Sequence, residues 1–463
     1  MSKDANVSRR SRREFMKTAG IVSAGMTVGS VLSTAPAVHA AGSDVIKVGL
    51  VGCGGRGMGS LVDRLKVGDA IQIVALGDLD RTRAMRRVEE LANLEEAKGK
   101  VDLTPDRIFG GFDSYKMVTD LSDTVLIASP AGFHPDHYLH AVEKGKHVFV
   151  EKPFCVDAEG YRRCMKANQL AEEKGLTVCA GFQRRHQEKY IQWISRIHAG
   201  EIGDILSTRM HWNGGSGGAG RPARADEPEL RFQLRCWYVF NWLCGDHNVE
   251  QHCHNLDVGN WIHGKGDPLA HPVSCFGTGG RQVRRAPRFQ PQQSGNIFDH
   301  HYVEYKYADG SFMHAMCRQQ PNVFNYVCEQ VSGTKGSGEC RAWEPVCWVQ
   351  PTGGNRWEYP RRNPPVTEYV QEHIDQTEAI RKGERLHFGW SAATSSMTAV
   401  MGRMATYSGQ EIKWEDAVAK GITLFPYDQE LTDDTPPPIT FGPDGTYEHT
   451  VAIPGEYDPF DPT

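Results

Sequence analysis

Four short stretches of this chain hold residues whose types and spacing point to chemistry. Gly52-Cys53-Gly54-Gly55-Arg56-Gly57 is a complete G-x-G-x-x-G loop. Gly52 suits a sharp turn, Gly54 lets the main chain approach a pyrophosphate, and Gly57 lets a helix pack close to a strand. A helix opening there directs free N–H groups at phosphates. Asp78 follows Gly57 by 21 positions, the spacing of a carboxylate that bonds the adenosine ribose hydroxyls and repels a 2′-phosphate. That favours NAD over NADP, with a plain helix N-cap as the other reading of Asp78. The second stretch, Ser129-Pro130-Ala131-Gly132-Phe133-His134, and the third, Glu151-Lys152-Pro153, each end a short apolar run. Ligands of open α/β sheets lie outside the carboxyl ends of the strands, so both stretches face the crevice of the glycine loop. The fourth stretch, Gly245 to Asp257, gathers Asp246, His247, Glu250, His252, His254 and Asp257. Val249, Cys253, Leu256 and Asn260 have helical spacing, and on one helix Glu250, His254 and Asp257 share a face. An imidazole between two carboxylates suits acid–base work near neutral pH.

The elements that must position these residues are legible as periodic runs. Val45–Val51 is a short apolar strand that runs into the glycine loop, and a helical pattern with Leu61 and Leu65 follows. A second strand, Ile71–Leu76, ends at Gly77-Asp78. Thr124–Ala128 and His147–Val150 are further strands, and His137–Glu143 between them reads as a helix stopped by Gly145. Alternation of this kind predicts a parallel α/β Rossmann domain over residues 44–180. Beyond it, Ile205–Trp212 alternates, Asp299–Gln319 reads as a hairpin turning at Asp309-Gly310, and Tyr326–Trp343 as another turning near Gly333–Gly336. Val366–Lys382 and Ala392–Tyr407 return as helices. Residues 181–410 therefore predict an α+β domain with an open, mostly antiparallel sheet. The Pro- and Asp-rich tail, part of a C-terminal extension over 411–463, is expected to wrap over the surface or over a partner subunit.

With 463 residues, 39% hydrophobic and 24% charged, the chain has room for two or three domains and does not fit a disordered or low-complexity class. No run of about 20 apolar residues occurs, which excludes a polytopic membrane protein. Formal net charge is −5, and removing the six basic and two acidic residues of the first forty takes the remainder to −9. A body that acidic, with no basic stripe, makes nucleic acid an unfit partner. The first forty residues read as an address. Ser11-Arg12-Arg13-Glu14-Phe15-Met16-Lys17 is a twin-arginine signal, Ile21–Leu32 a weakly apolar stretch, and Ala37–Ala41 a small-residue cleavage region. The order predicts twin-arginine export to a periplasmic or other extracytoplasmic location. The twelve cysteines show no Cys-x-x-Cys and no zinc spacing, so buried free thiols are expected.

The Gly52–Gly57 loop, Ser129-Pro130 with His134, Glu151-Lys152-Pro153, Gly181-Phe182-Gln183-Arg184-Arg185 and Glu201-Ile202-Gly203-Asp204-Ile205 together resemble the Gfo/Idh/MocA oxidoreductase family. That family is named for glucose-fructose oxidoreductase and inositol dehydrogenase. The resemblance spans about residues 44 to 410 and implies a nicotinamide-dependent oxidoreductase acting on a sugar, glycoside or cyclitol hydroxyl. It places Lys152 beside the nicotinamide and the reacting carbinol. Glu250, His254 and Asp257 match the family's acid–histidine–acid pattern, with glutamate where many relatives carry aspartate. By the same resemblance His254 exchanges the hydroxyl proton, Lys152 and Glu250 complete the catalytic set, and a homo-oligomer, dimer or tetramer, is implied. Gly52, Gly54, Gly55, Arg56, Gly57, Asp78, Ser129, Pro130, His134, Glu151 and Lys152 are the expected cofactor contacts. Arg184, Asp246, His247 and Asp257 are the expected substrate contacts, with Arg185, His186, Trp237 and Trp242 as further pocket residues.

Several alternatives stay open at this point. A lysine ammonium stabilises a developing alkoxide, and desolvation can lower its pKa toward acid–base use. His247, Glu250 and His254 on one helix also allow a metal reading, which dehydrogenation does not need. The basic loop Arg281–Arg285 either reaches an anionic group or is simply solvated. Free nicotinamide nucleotide is scarce outside the cytoplasm, so export implies NAD that is held and recycled in place. That fits sugar-to-sugar transfer or a redox-neutral glycoside cleavage; a non-catalytic sugar-binding protein with a retained nucleotide site is the remaining reading.

Overall fold

The computed structural model describes residues 45–215, 220–222, 224–284, 294–360 and 364–461. The export signal read over residues 1–40 and Arg285 of the basic loop lie outside them. Strands β1 (Ile46–Val51), β2 (Ile71–Asp78), β3 (Ile108–Gly110), β4 (Thr124–Ile127), β5 (His147–Val150) and β6 (Val178–Ala180) form a parallel sheet in the order β3-β2-β1-β4-β5-β6. β1, β2, β4 and β5 are buried along nearly their whole length, as expected for parallel strands covered on both faces. Helices α1 (Gly55–Leu65), α2 (Arg81–Ala92), α3 (Ser114–Leu121), α4 (His134–Glu143) and α5 (Ala158–Glu173) supply that cover. α1 buries Met58, Leu61 and Leu65 on one stripe.

After α6 (Glu188–His198), the strands β7 (Ile205–Gly214), β8 (Ser274–Gly280), β9 (His300–Lys306), β10 (Phe312–Gln319), β11 (Tyr326–Gly333), β12 (Gly336–Cys340), β13 (Cys347–Pro351), β14 (Trp357–Glu358) and β15 (Ile412–Lys413) form a nine-stranded sheet in the order β14-β13-β12-β11-β7-β10-β9-β8-β15. It is antiparallel except where β7 (Ile205–Gly214) pairs with β10 (Phe312–Gln319) in parallel. Both expected hairpins form. β9 (His300–Lys306) meets β10 at Lys306↔Phe312, and β11 (Tyr326–Gly333) meets β12 (Gly336–Cys340) at Gly333↔Gly336. Between β7 and β8 (Ser274–Gly280) lie four helices: α7 (Glu229–Arg235), α8 (Asn241–Cys244), α9 (His247–Glu250) and α10 (Cys253–Gly264).

The two returning helices behave differently. α12 (Gly389–Ser408) buries every residue but Trp390 and runs against β8, α5 and α10. α11 (Glu368–Lys382), which the sequence assigns to the second domain, instead completes the first. Its Thr377 Oγ1 accepts from the buried Arg64 of α1 at 2.7 Å, Gln376 Nε2 donates to Val148 O of β5 at 2.8 Å, and Ala379 and Ile380 join the core of β1 and β2. The tail packs Phe425, Tyr427 and Tyr447 with Phe232, Phe240 and Trp242, and this cluster takes in Leu79, Phe112 and Phe133. Those three follow β2, β3 and β4, so the extension covers the carboxyl edge of the parallel sheet. All twelve cysteines are buried free thiols.

Burial holds the imidazoles of His134 and His263 down to about 4 and that of His137 down to about 3, against 6.5 when exposed. The folded protein thus binds fewer protons than the unfolded chain below pH 6.5, and stability is lost as pH falls from there through 4. Each of these histidines steepens the loss by roughly 1.4 kcal/mol per pH unit within that window. Denaturant midpoints measured between pH 7 and 4 are expected to fall accordingly; a flat profile contradicts the burial of neutral imidazoles.

Candidate active site

The glycine loop closes onto the end of β4. Gly52 has φ +92°, and a Cβ there would lie 2.6 Å from the main chain of Ala128; a Cβ on Gly57 would lie 1.9 Å from Gly52 O. Gly54 caps α1 without any side-chain acceptor, and a Cβ on Gly54 or Gly55 meets nothing within 4 Å. The open cradle and the uncapped helix start fit a pyrophosphate. Asp78 ends β2 with each carboxylate oxygen accepting one main-chain N–H, from Cys53 at 2.8 Å and from Asp80 at 2.9 Å. Arg83 adds a contact at 3.2 Å, and a carboxylate keeps further lone-pair positions for a ribose hydroxyl. The N-cap role falls to Asp80, which accepts from Thr82 N–H. Arg56 is drawn aside: its Nε donates to Glu151 Oε1 at 2.5 Å, Nη2 lies 3.5 Å from Glu372, and the guanidinium covers Tyr369. Glu372 is fully buried, and burial, then the charge of Glu151, push its pKa well up.

Ser129 and His134 are both tied into the protein at the β4 end. His134, 1% exposed, sets Nδ1 2.7 Å from Pro153 O and Nε2 2.7 Å from Ser129 O, so both ring nitrogens face main-chain carbonyls at the β4 and β5 ends, and the neutral ring donates to one of them. Ser129 Oγ is hydrogen-bonded to His137 Nδ1 at 3.1 Å. Pro130 starts the short turn Ala131–Phe133 between them.

Lys152, at the end of β5, reaches across to the second sheet domain. Its Nζ donates to Glu250 Oε1 at 2.6 Å and to Glu250 O at 2.5 Å. Burial opposes the charge, but Glu250, Cys253 and Glu151 outweigh it and hold the ammonium above its usual range. This corrects the expectation of a lysine tuned down toward acid–base use: desolvation is present, yet the paired carboxylate wins. The second correction concerns the helix. α9 ends at Glu250 and α10 starts at Cys253, so Glu250 lies on a separate turn from His254 and Asp257. The charge of Lys152 is nonetheless among those that depress His254, after burial. His254 is stacked on Trp212 and edge-on to Phe182, with centroids 5.8 and 5.7 Å away. Burial first, then Lys152, Arg184 and Arg56, hold its imidazole well below its ordinary range. Its Nδ1 and Glu250 Oε2 are buried polar atoms without a hydrogen-bond partner among the described residues.

Four expected substrate contacts are buried and paired at least in part within the protein. Asp257, 1% exposed, accepts both Nε and Nη2 of Arg185 at 2.8 Å and the Ser395 hydroxyl at 2.9 Å. Arg184, also 1% exposed, pairs with Glu329, which takes further donors from Tyr190 and Asn255. Asp246 and His247 are 0% and 1% exposed and bond to each other. Such buried groups need partners; Asp257 is fully engaged, whereas Arg184 Nε and Nη2 and His247 Nε2 have no hydrogen-bond partner among the described residues. Of the further residues, Trp242 donates to Gln233 and packs with Phe232, Phe240 and the tail's Phe425, and His186 Nδ1 lies 2.6 Å from Asp375. The sequence offered no pointer to Trp212 as the flat wall against His254; it is one of several aromatic residues on alternating strands.

The Gfo/Idh/MocA family model, described as an oxidoreductase family with an NAD-binding Rossmann fold, matches residues 46–182. Over 167 residues the chain is 32% identical to an inositol 2-dehydrogenase/D-chiro-inositol 3-dehydrogenase of Halalkalibacterium halodurans, covering 35% of this chain and 43% of that one. It is 30% identical over 205 residues to an inositol 2-dehydrogenase of Burkholderia lata, covering 44% and 56%. The chain thus spans about half the length of these relatives. Among solved structures, an aldose-aldose oxidoreductase from Caulobacter crescentus complexed with glycerol aligns with a TM-score of 0.62 at 16% identity, over 80% of this chain and 99% of that one. A levoglucosan dehydrogenase complexed with NADH and levoglucosan aligns with a TM-score of 0.62 at 15% identity, over the same shares. Both share the fold.

The Arg185–Asp257 pair gives a direct check on its role. Asp257→Ala leaves a buried guanidinium unpaired and is expected to cost about 3–5 kcal/mol of stability. An unchanged denaturation midpoint with a weakened substrate KM would instead return Asp257 to the substrate pocket.

Proposed function

We propose that this protein, whose residues 46–182 match the NAD-binding domain of the Gfo/Idh/MocA oxidoreductases, oxidises a ring hydroxyl of a cyclitol or sugar with NAD. The observation that carries the reading is the ammonium of Lys152 paired with Glu250, whose Oε2 has no partner among the described residues, together with a buried His254 whose Nδ1 likewise has none and whose ring feels the Lys152 charge. Neighbouring hydroxyls of a polyol supply the donors that these atoms lack. The loop over Gly52–Gly57 and the carboxylate of Asp78 are the residues that would hold the dinucleotide, and Asp78 favours NAD over NADP.

In the reaction Lys152 and His254 share the work. The ammonium of Lys152 lies against the carbinol oxygen and stabilises the negative charge that grows there as the C–H bond breaks. Its raised pKa makes it a fixed charge and leaves the proton to His254, whose neutral ring accepts it from the hydroxyl. Glu250 fixes the lysine through two hydrogen bonds. Trp212 and Phe182 shield the imidazole from water. Bound NAD supplies the acceptor for the hydride.

A held, recycling coenzyme belongs to the same proposal. The twin-arginine signal read in the first forty residues would carry the folded protein out of the cytoplasm. The packing of Phe425, Tyr427 and Tyr447 over the segments that follow β2, β3 and β4 supports retention, because it covers the edge where a dinucleotide would lie. Purified protein is expected to release nucleotide on denaturation; nucleotide-free protein that works only with freely exchanging NAD contradicts retention.

The activity is tested by adding NAD and a panel of inositols and aldoses and following absorbance near ~340 nm. One or more ring polyols are expected to give a signal, and Lys152→Met is expected to lower the rate about a hundredfold or more. Nucleotide and sugar binding without any turnover would favour a non-catalytic role. Full activity in the Lys152→Met protein would remove Lys152 from the reaction.

A further inference from the structure

A second constellation lies behind the catalytic turn. At the start of α9 the Asp246 carboxylate points inward. Its Oδ2 accepts from Phe298 N–H at 2.9 Å and from the Tyr407 hydroxyl at 2.6 Å. Oδ1 accepts from His247 N–H at 2.5 Å, and against it lie His247 Nδ1 at 2.9 Å and, arriving from β9, His301 Nε2 at 3.3 Å. Asp246, His247 and His301 are 0%, 1% and 2% exposed. The ligating atoms of the three residues all fall within 4.8 Å of one another.

The tautomer of His301 is set by its other nitrogen. Thr406 donates its hydroxyl hydrogen to Arg403 O at 3.0 Å, so its oxygen accepts from His301 Nδ1–H at 2.9 Å. Nε2 is then the unprotonated nitrogen, 3.3 Å from a carboxylate oxygen and buried, with no hydrogen bond among the described residues. Two electron-rich atoms at that separation, out of water, call for a positive charge between them: a second proton on the ring or a metal ion. The spacing suits the metal. Tetrahedral zinc with bonds of about 2.0–2.1 Å sets its ligands roughly 3.3 Å apart, close to the 2.9 and 3.3 Å seen here. The outer contacts also follow a metal-site pattern, with Thr406 orienting one imidazole and Phe298 and Tyr407 holding the carboxylate.

We propose that Asp246, His247 and His301 bind a divalent transition-metal ion of the zinc class. Two imidazoles among three ligands favour such an ion over magnesium or calcium. The ion would tie α9 to β9. Because α9 ends at Glu250, the partner of Lys152, its role is to hold the catalytic turn rather than to touch substrate. The site stands on geometry independent of the dehydrogenase reading.

The test uses the full chain, purified without metal-affinity resin and stripped with a chelator. Added Co2+ is expected to give the visible d–d bands of a nitrogen- and oxygen-ligated site at one equivalent, and Zn2+ to raise Tm. His301→Gln is expected to weaken Co2+ binding at least about tenfold. Should that variant not fold, the response of the wild-type protein to Zn2+ and Co2+ decides alone. Wild-type protein with neither Co2+ bands nor a Zn2+-dependent rise in Tm overturns the site, as does a folded His301→Gln protein that binds Co2+ as tightly as wild type.

Discussion

The ion pair between Lys152 and Glu250 joins the end of a parallel strand in one half of the molecule to a helical turn in the other. Its side chains are 14% and 11% exposed, so both charges have left most of their water. Such a pair adds little net stability, yet removing one partner strands the other at a cost of about 3–5 kcal/mol. The fold therefore has reason to keep both or neither. It keeps both at the carboxyl edge of the sheet, beside the glycine loop, where a cation can act on a ligand.

Neighbouring charges follow from that pair. Glu151, the residue before Lys152, is neutralised by Arg56 of the glycine loop, and Arg56 in turn reaches Glu372. Loop, strand end and α11 are linked by one guanidinium. On the other side, Arg184 and Arg185 are each matched by a carboxylate, Glu329 and Asp257. His254 Nδ1 has no partner among the described residues, and its ring is held down by burial and by the cations around it. A neutral base beside a permanent cation is the division of labour that oxidation of an alcohol needs.

Much of this was legible in the residues. The glycine loop, the strand ends at Asp78 and Glu151, and both hairpins depend on local patterns, turn chemistry and period, which a sequence displays directly. The roles of Asp257 and Arg184 were not. Each is one of many charged residues until the fold brings Arg185 and Glu329 beside it. The break after Glu250 was hidden because Val249 and Cys253 keep helical spacing across it. The docking of α11 on the first domain rests on Thr377 and Gln376 meeting Arg64, more than three hundred positions away in the chain. His301 is hidden in the same way: nothing in the β9 sequence says that it faces Asp246.

The central claim is that a substrate carbinol sits between Lys152 and His254. A crystal structure with NAD and a ring polyol bound addresses it most directly. The account places one hydroxyl oxygen within about 2.6–3.2 Å of both Lys152 Nζ and a ring nitrogen of His254. A polyol bound with its reacting carbon out of reach of either side chain would contradict it.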